Sequence, residues 1–113
     1  MAKTNRFGSL TLCVVTMGVT FLLGFPARAQ ETGESLFKGK CAMCHGPDGA
    51  GKTPMGQTLK IPDLHSEAVQ KRSDAELIQI VTKGKNKMPA YENKLSKEQI
   101  DKLVTYIREL AKH

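Results

Sequence analysis

The sequence has no tryptophan and few other aromatic residues, with two tyrosines and four phenylalanines among 113 residues. Large flat side chains are therefore scarce. A chain of this length forms one small domain, whose core is hard to fill with so few of them. Domains of this size often depend on disulfides, a metal or a cofactor for stability. The scarcity of aromatic residues leaves room for a bulky flat ligand at the centre.

The sequence also lacks an apolar run long enough to cross a bilayer. A positively charged start precedes an apolar run over 10–25, and the small residues of Ala27-Arg28-Ala29 follow it. The run has about 16 residues, whereas a membrane-spanning helix needs roughly 20. This order is typical of a secretory signal peptide. We predict that residues 1–29 are cleaved and that the mature chain is 30–113, with an uncleaved membrane anchor as the alternative.

No block of basic residues remains in the predicted mature chain. Lys3, Arg6 and Arg28 leave with the signal, so 14 basic residues face 11 acidic ones, a net charge of +3. The two signs of charge are interleaved along the chain. This pattern argues against binding of nucleic acid.

No alternating strand pattern and no hairpin turn occur in 30–113, so we predict an all-α fold of three to four short helices. Four glycines and two prolines make 46–61 a loop. Loops this long in a small domain suggest that they wrap a ligand. The predicted helices are 31–40, a short turn over 66–70, 73–83 behind a capping box of Ser73 and Glu76, and a last helix behind Ser96 and Gln99 with Ile100, Leu103, Val104, Ile107 and Leu110 on one face.

The sequence Cys-Ala-Met-Cys-His at 41–45 has three interpretations. A structural zinc needs four ligands, commonly in two close pairs, but only two other histidines and no second cysteine pair remain. A redox disulfide requires a preceding strand, which the sequence does not predict. Cys-x-x-Cys-His is the attachment signature of c-type haem, in which two sulfurs on one helical turn reach the porphyrin edge. We predict one haem c, covalently bound through Cys41 and Cys44, with His45 as an axial ligand of its iron.

The chain resembles the class I c-type cytochromes with a single haem, especially small soluble bacterial ones, over nearly all of 30–113. The stretch CAMCHGPDGAG is similar to the haem-binding opening of that family, and GKNKMPAY to its sixth-ligand loop. The resemblance implies the cytochrome c fold and Met88 as the second axial ligand. It also implies that Leu64 packs against the haem and that the carbonyl of Pro62, or alternatively Pro54, accepts the imidazole N–H. It further implies that the first and last helices pack together through Gly33, Phe37, Leu103 and Tyr106.

The identity of the sixth ligand decides the chemistry of the iron. A thioether is a soft, neutral ligand, and methionine with histidine raises the reduction potential relative to two imidazoles. Met43 lies between the two cysteines and cannot reach the other face of a haem. Met55 and His65 remain alternatives to Met88. Tyr91 and Tyr106 are each placed either near the haem or its propionates or in simple packing.

Three lysines, Lys83, Lys85 and Lys87, precede Met88 and form what we call the lysine rim. One interpretation is a solvated loop, where lysines are common. The other is a positive rim that steers an acidic redox partner. The charge pattern alone favours neither.

The sequence as a whole predicts an exported, periplasmic electron carrier that cycles between Fe(II) and Fe(III). Its partners are a donor and an acceptor protein, and it contacts membranes only through their complexes. We expect a monomer and no enzymatic activity, since no nucleophile–base pair, paired carboxylates or phosphate loop is found. The alternatives are a haem subunit of a larger dehydrogenase or oxidase, and a haem enzyme or gas sensor with a labile sixth ligand.

Overall fold

The computed structural model describes residue 24 and residues 29–113. This part of the chain is helical, and its β pairing is limited to an isolated antiparallel bridge between Lys85 and Met88. The predicted all-α class is confirmed. Nearly all of the predicted signal peptide lies outside the described residues. The helices are α1 (Gly33–Lys40), α2 (Ala42–His45), α3 (Pro54–Leu59), α4 (Glu67–Gln70), α5 (Asp74–Lys83) and α6 (Lys97–Leu110).

The described part contains six helical segments where the sequence predicted three or four, and the prediction of 46–61 as a loop is wrong over α3. Thr53 caps this helix by accepting a hydrogen bond from the backbone N–H of Gly56, and Pro54 occupies its first turn. Proline interrupts a helix interior but favours a helix start, because no backbone N–H is needed there. The other additional segments, α2 and α4, have four residues each.

Capping boxes begin three of the helices. Ser73 with Glu76 begins α5, and Ser96 with Gln99 begins α6, as the sequence predicts. Thr32 begins α1 with a third box that the sequence analysis missed. Each box satisfies backbone N–H groups that have no partner inside the helix. Local sequence therefore determines where these helices start.

The core is centred on the crossing of α1 and α6. Gly33 permits the close approach, because a Cβ there would lie 2.2 Å from the carbonyl oxygen of Lys102 and 2.9 Å from Cβ of Tyr106. The Phe37 and Tyr106 rings lie 5.4 Å apart between centroids. Phe37 and Leu103 are fully buried. The predicted packing of the first helix against the last is confirmed. The buried face of α6 consists of Ile100, Leu103, Val104, Ile107 and Leu110, as predicted.

Arg108 connects α6 by hydrogen bonds to the turn between α4 and α5. Its guanidinium donates to the Asp74 carboxylate at 2.9 Å and to the backbone carbonyls of Gln70 and Arg72. Bidentate and charge-assisted hydrogen bonds of this kind are stronger than neutral ones. These hydrogen bonds of Arg108 fix the start of α5. The segment that carries Met88 follows the end of α5. No helix of the described residues is long and apolar enough to span a membrane.

Candidate functional site

The Cys-x-x-Cys-His motif lies at the junction of α1 and α2. Cys41 ends α1 by donating its backbone N–H to the carbonyl of Phe37 at 2.8 Å, and it also precedes α2. The backbone N–H of His45 donates to the Cys41 carbonyl at 2.9 Å. Residues three and four apart on a helix share one face. The turn therefore places Cys41, Cys44 and His45 on the same side, and all three are partly buried.

His45 is a partly buried imidazole with unused hydrogen-bonding capacity. Its Nδ1 atom is buried and has no partner among the described residues. Burial lowers the pKa of His45, which favours the neutral ring, the form that binds metals. The ring centroid of Phe37 lies 6.3 Å away. A partly buried imidazole in its neutral form fits a ligand to iron through one ring nitrogen, which leaves the other for a hydrogen-bond partner.

The two cysteines do not have the character of a redox pair. Both are free thiols. Burial, and secondarily Cys44, raises the pKa of Cys41 to about 11, whereas redox-active cysteines have lowered pKa values. The strand that such motifs require is also missing from residues 29–113.

The described residues also offer no zinc site. Nowhere among them do three histidine, cysteine or acidic side chains come together as a metal-ion cluster. His65 pairs with Asp63 instead, with Nδ1 2.6 Å from the carboxylate oxygen. The donor set of the motif fits attachment to haem better than binding of a bare ion.

The segment after the motif holds α2 in place through its glycines. The Gly51 N–H donates to the carbonyl of His45 at 2.6 Å, and the Thr53 hydroxyl donates to that of Cys44 at 2.9 Å. A Cβ on Gly56 would lie 2.3 Å from the Gly51 carbonyl oxygen and 2.5 Å from that of Cys44. Only glycine permits α3 to pack this closely. The sequence analysis missed these supports, although the glycine-rich stretch was a signal for close backbone approach.

Pro62 and Leu64 lie beside this support. Leu64 is buried, and its N–H donates to the carbonyl of Gly49 at 2.9 Å. Pro62 is exposed, with its carbonyl oxygen 3.5 Å from the position a Cβ on Gly51 would take. The hydrogen bond from His45 to Pro62 is not formed in this structure, since Nδ1 has no partner. Pro54, the alternative for that role, is the first residue of α3.

Met88 lies in a tight turn after α5. The backbone N–H of Lys85 donates to the Met88 carbonyl at 3.1 Å, and the reverse hydrogen bond measures 2.9 Å. Gly84 and Asn86 have positive φ angles of 76° and 54°, which glycine and asparagine adopt most readily. The turn presents Met88 to the core cluster, against which Cys41 and Tyr91 also pack.

The other two methionines of the described part are exposed. Met43 has 79% and Met55 46% of its surface accessible. Met88 is partly buried and packs against the core. Met88 thus packs against the same core cluster as Cys41, whereas Met55 is exposed.

Comparisons with known proteins identify the family of the chain. The sequence model of the family described as "Cytochrome C oxidase, cbb3-type, subunit III" matches residues 28–107. A cytochrome c6 from Synechocystis sp. is 32% identical over 107 residues, covering 93% of this chain and 87% of that protein. The cbb3-type cytochrome c oxidase subunit CcoP of Azospirillum brasilense is 31% identical over 87 residues, covering 75% of this chain but 30% of that subunit.

A comparison with solved structures also finds c-type cytochromes. The c-type cytochrome KustC0563 superposes with a TM-score of 0.66 at 29% identity, covering 71% of this chain and 98% of the other. Fold, motif and sequence similarity therefore lead to one assignment. The chain belongs to the cytochrome c family, as a small class I c-type cytochrome that carries one covalently bound haem c and transfers electrons.

Proposed function

We propose that Cys41 and Cys44 form the two thioethers to haem c and that His45 and Met88 are its axial ligands. The observation that carries this proposal is the packing of Cys41 and Met88 against one core cluster, although they come from distant parts of the chain. The iron of the bound haem supplies a one-electron Fe(II)/Fe(III) couple.

The surrounding residues have supporting roles in this proposal. Leu64 packs beside the site, and the Pro62 carbonyl is the proposed acceptor for the His45 imidazole, because buried nitrogens are rarely left unpaired. Such a partner fixes the tautomer and the plane of a ligating ring. With both axial positions filled by the chain, the ligand set stays the same in both oxidation states. This constancy suits electron transfer better than catalysis.

A spectroelectrochemical titration tests the proposed function. We expect the purified protein to be reduced and reoxidised reversibly in a single one-electron transition. The double variant Cys41→Ala/Cys44→Ala is the control and should show no transition, since it cannot attach haem covalently. A wild-type protein without a reversible one-electron transition would contradict the proposal.

We also propose that part of the lysine rim steers acidic redox partners. The ammonium of Lys83 is 2.5 Å from the Glu92 carboxylate, so its charge is compensated. Lys85 and Lys87 are exposed and form no ion pair with the rest of the described chain. Uncompensated charge near the Met88 turn would raise the rate of encounter with a negatively charged partner.

Charge reversal at Lys85 and Lys87 tests this steering. The variant Lys85→Glu/Lys87→Glu should reduce ferricyanide, an anionic oxidant, about tenfold more slowly at low salt, and the difference should shrink at high salt. The control is Lys60→Glu with Lys112→Glu, two exposed lysines without an ion pair among the described residues, which changes the net charge equally but away from the Met88 turn in sequence. Equal rates for the two double variants would show that the rim has no special role.

We propose that the protein works in the periplasm as a monomer, exported by the signal at 1–29. The match to an oxidase subunit family favours a second candidate, a haem subunit held permanently in a larger complex. Gel filtration of a gently prepared native extract distinguishes the two. Elution at the size of a monomer supports a free carrier, whereas constant co-elution with a larger oxidoreductase supports the subunit.

A further inference from the structure

Tyr91 connects the segment that carries Met88 to the end of α1. Its hydroxyl donates to the backbone carbonyl of Lys40 at 3.2 Å, although the two residues are 51 positions apart. Lys40 is the last residue of α1 and directly precedes Cys41. The hydrogen bond therefore ends one residue from the first cysteine of the haem-binding motif.

This is the one hydrogen bond, among those of the described residues, that attaches 84–95 to a helix other than α5. The remaining attachments are backbone N–H groups of Gly84, Tyr91 and Glu92 that donate to α5 carbonyls, and the ion pair of Glu92. Without the Tyr91 hydroxyl, the hydrogen bonds of the segment to helices would be limited to those with α5, the helix that it follows.

The acceptor is a carbonyl that the helix itself cannot satisfy. The last four carbonyls of a helix have no partner within it, and that of Lys40 is one of them. The donor residue, Tyr91, is also held by contacts to its backbone and its ring. Its backbone carbonyl accepts hydrogen bonds from Lys94 and Leu95, both at 2.9 Å, and the Lys94 ammonium lies 5.4 Å from the centre of its ring. A side chain held in this way loses little conformational entropy when its hydroxyl binds.

We infer that Tyr91 is a positioning residue, whose hydrogen bond to Lys40 keeps the Met88 segment docked against the segment that carries Cys41, Cys44 and His45. The inference deepens the proposed function and rests on its assignment of Met88 as an axial ligand. The two proposed axial ligands are 43 residues apart in the chain, so something other than local sequence must hold them together. A hydrogen bond between the two segments opposes release of the neutral Met88 thioether from the iron.

The test is an imidazole titration of the ferric holoprotein, followed by the near-infrared band of the sulfur–iron bond. Imidazole binds only when Met88 has left, so its apparent affinity reports the fraction of protein with Met88 released. The variant Tyr91→Phe keeps the ring and removes only the hydroxyl. Loss of a hydrogen bond of ordinary strength should raise this fraction about three- to tenfold, and the apparent imidazole affinity by the same factor.

The variant Tyr106→Phe is the matched control. Tyr106 is also partly buried and packs on Phe37, but its hydroxyl has no hydrogen bond within the described part of the chain. We expect wild-type imidazole affinity from it. An equal increase in both variants, or a lower unfolding midpoint for Tyr91→Phe with unchanged imidazole affinity, would overturn the inference, because either shows a merely structural contribution.

The same titration distinguishes failure of this inference from failure of the proposed ligation by Met88. A wild-type protein that lacks the near-infrared band contradicts ligation by Met88, and the inference fails with it. A wild-type protein that has the band, together with a Tyr91→Phe variant of unchanged imidazole affinity, overturns the inference alone.

Discussion

Replacing Met88 with alanine is expected to abolish the near-infrared sulfur-to-iron band of the ferric protein. It should also lower the reduction potential and allow rapid binding of carbon monoxide to the ferrous form. The reason is that alanine offers no donor atom, so one axial position of the iron becomes open to solvent and small ligands. A methionine ligand raises the potential, and its loss acts in the opposite direction. Absorption spectra and a redox titration of the variant measure all three effects.

The matched control is Met55→Ala, which removes the methionine that the sequence left as a rival. Its side chain is 46% exposed, and we expect the band, the potential and the slow reaction with carbon monoxide to remain as in the wild type. Retention of the band in Met88→Ala, with its loss in Met55→Ala, would exchange the two assignments.

Replacing Gly33 with alanine is expected to cause a large loss of stability. The new Cβ would meet the Lys102 carbonyl oxygen at 2.2 Å, and backbone atoms cannot move aside as a flexible side chain can. Separation of α1 from α6 would disturb the packing of Phe37 on Tyr106. We expect a loss of about 3 kcal/mol, at the upper end for overpacking, and a decrease in Tm of roughly 10–25 °C. Denaturant and thermal unfolding of the holoprotein measure both.

The same helix supplies the control for this substitution. Gly39 also lies in α1, but a Cβ there would meet no atom within 4 Å. Gly39→Ala should therefore stabilise the protein slightly, by about 0.5 kcal/mol, since alanine restricts the unfolded chain and favours the helix. If Gly33→Ala unfolds at the same denaturant concentration as Gly39→Ala, the close crossing of α1 and α6 is not formed in solution.

Features that depend on neighbouring residues could be predicted from the sequence. The capping boxes at Ser73 and Ser96 involve a side chain and a backbone group three residues apart, and the apolar spacing along α6 follows from helical geometry alone. The Cys-x-x-Cys-His signature belongs to the same group, because its five residues are contiguous in the sequence. The helix at Pro54 was missed since a proline can either begin or interrupt a helix, and spacing does not distinguish the two.

Features that depend on tertiary contacts could not be predicted in this way. The Tyr91 hydroxyl meets Lys40 across 51 residues, and Arg108 meets Gln70 across 38. Neither tyrosine nor arginine carries a local pattern that specifies a distant backbone carbonyl. The exposure of Met55 and the burial of Met88 likewise depend on how α3 and the Met88 turn pack. The sequence could therefore suggest candidate ligands but not the tertiary contacts around them.

The most direct test of the whole account is the intact mass of the purified protein, combined with its pyridine haemochrome spectrum and with alkylation of free thiols. We predict the mass of the polypeptide plus one haem, a spectrum with two thioether bonds, and no alkylation of Cys41 or Cys44. A colourless protein at the mass of the polypeptide alone, with both thiols alkylated, would contradict the account.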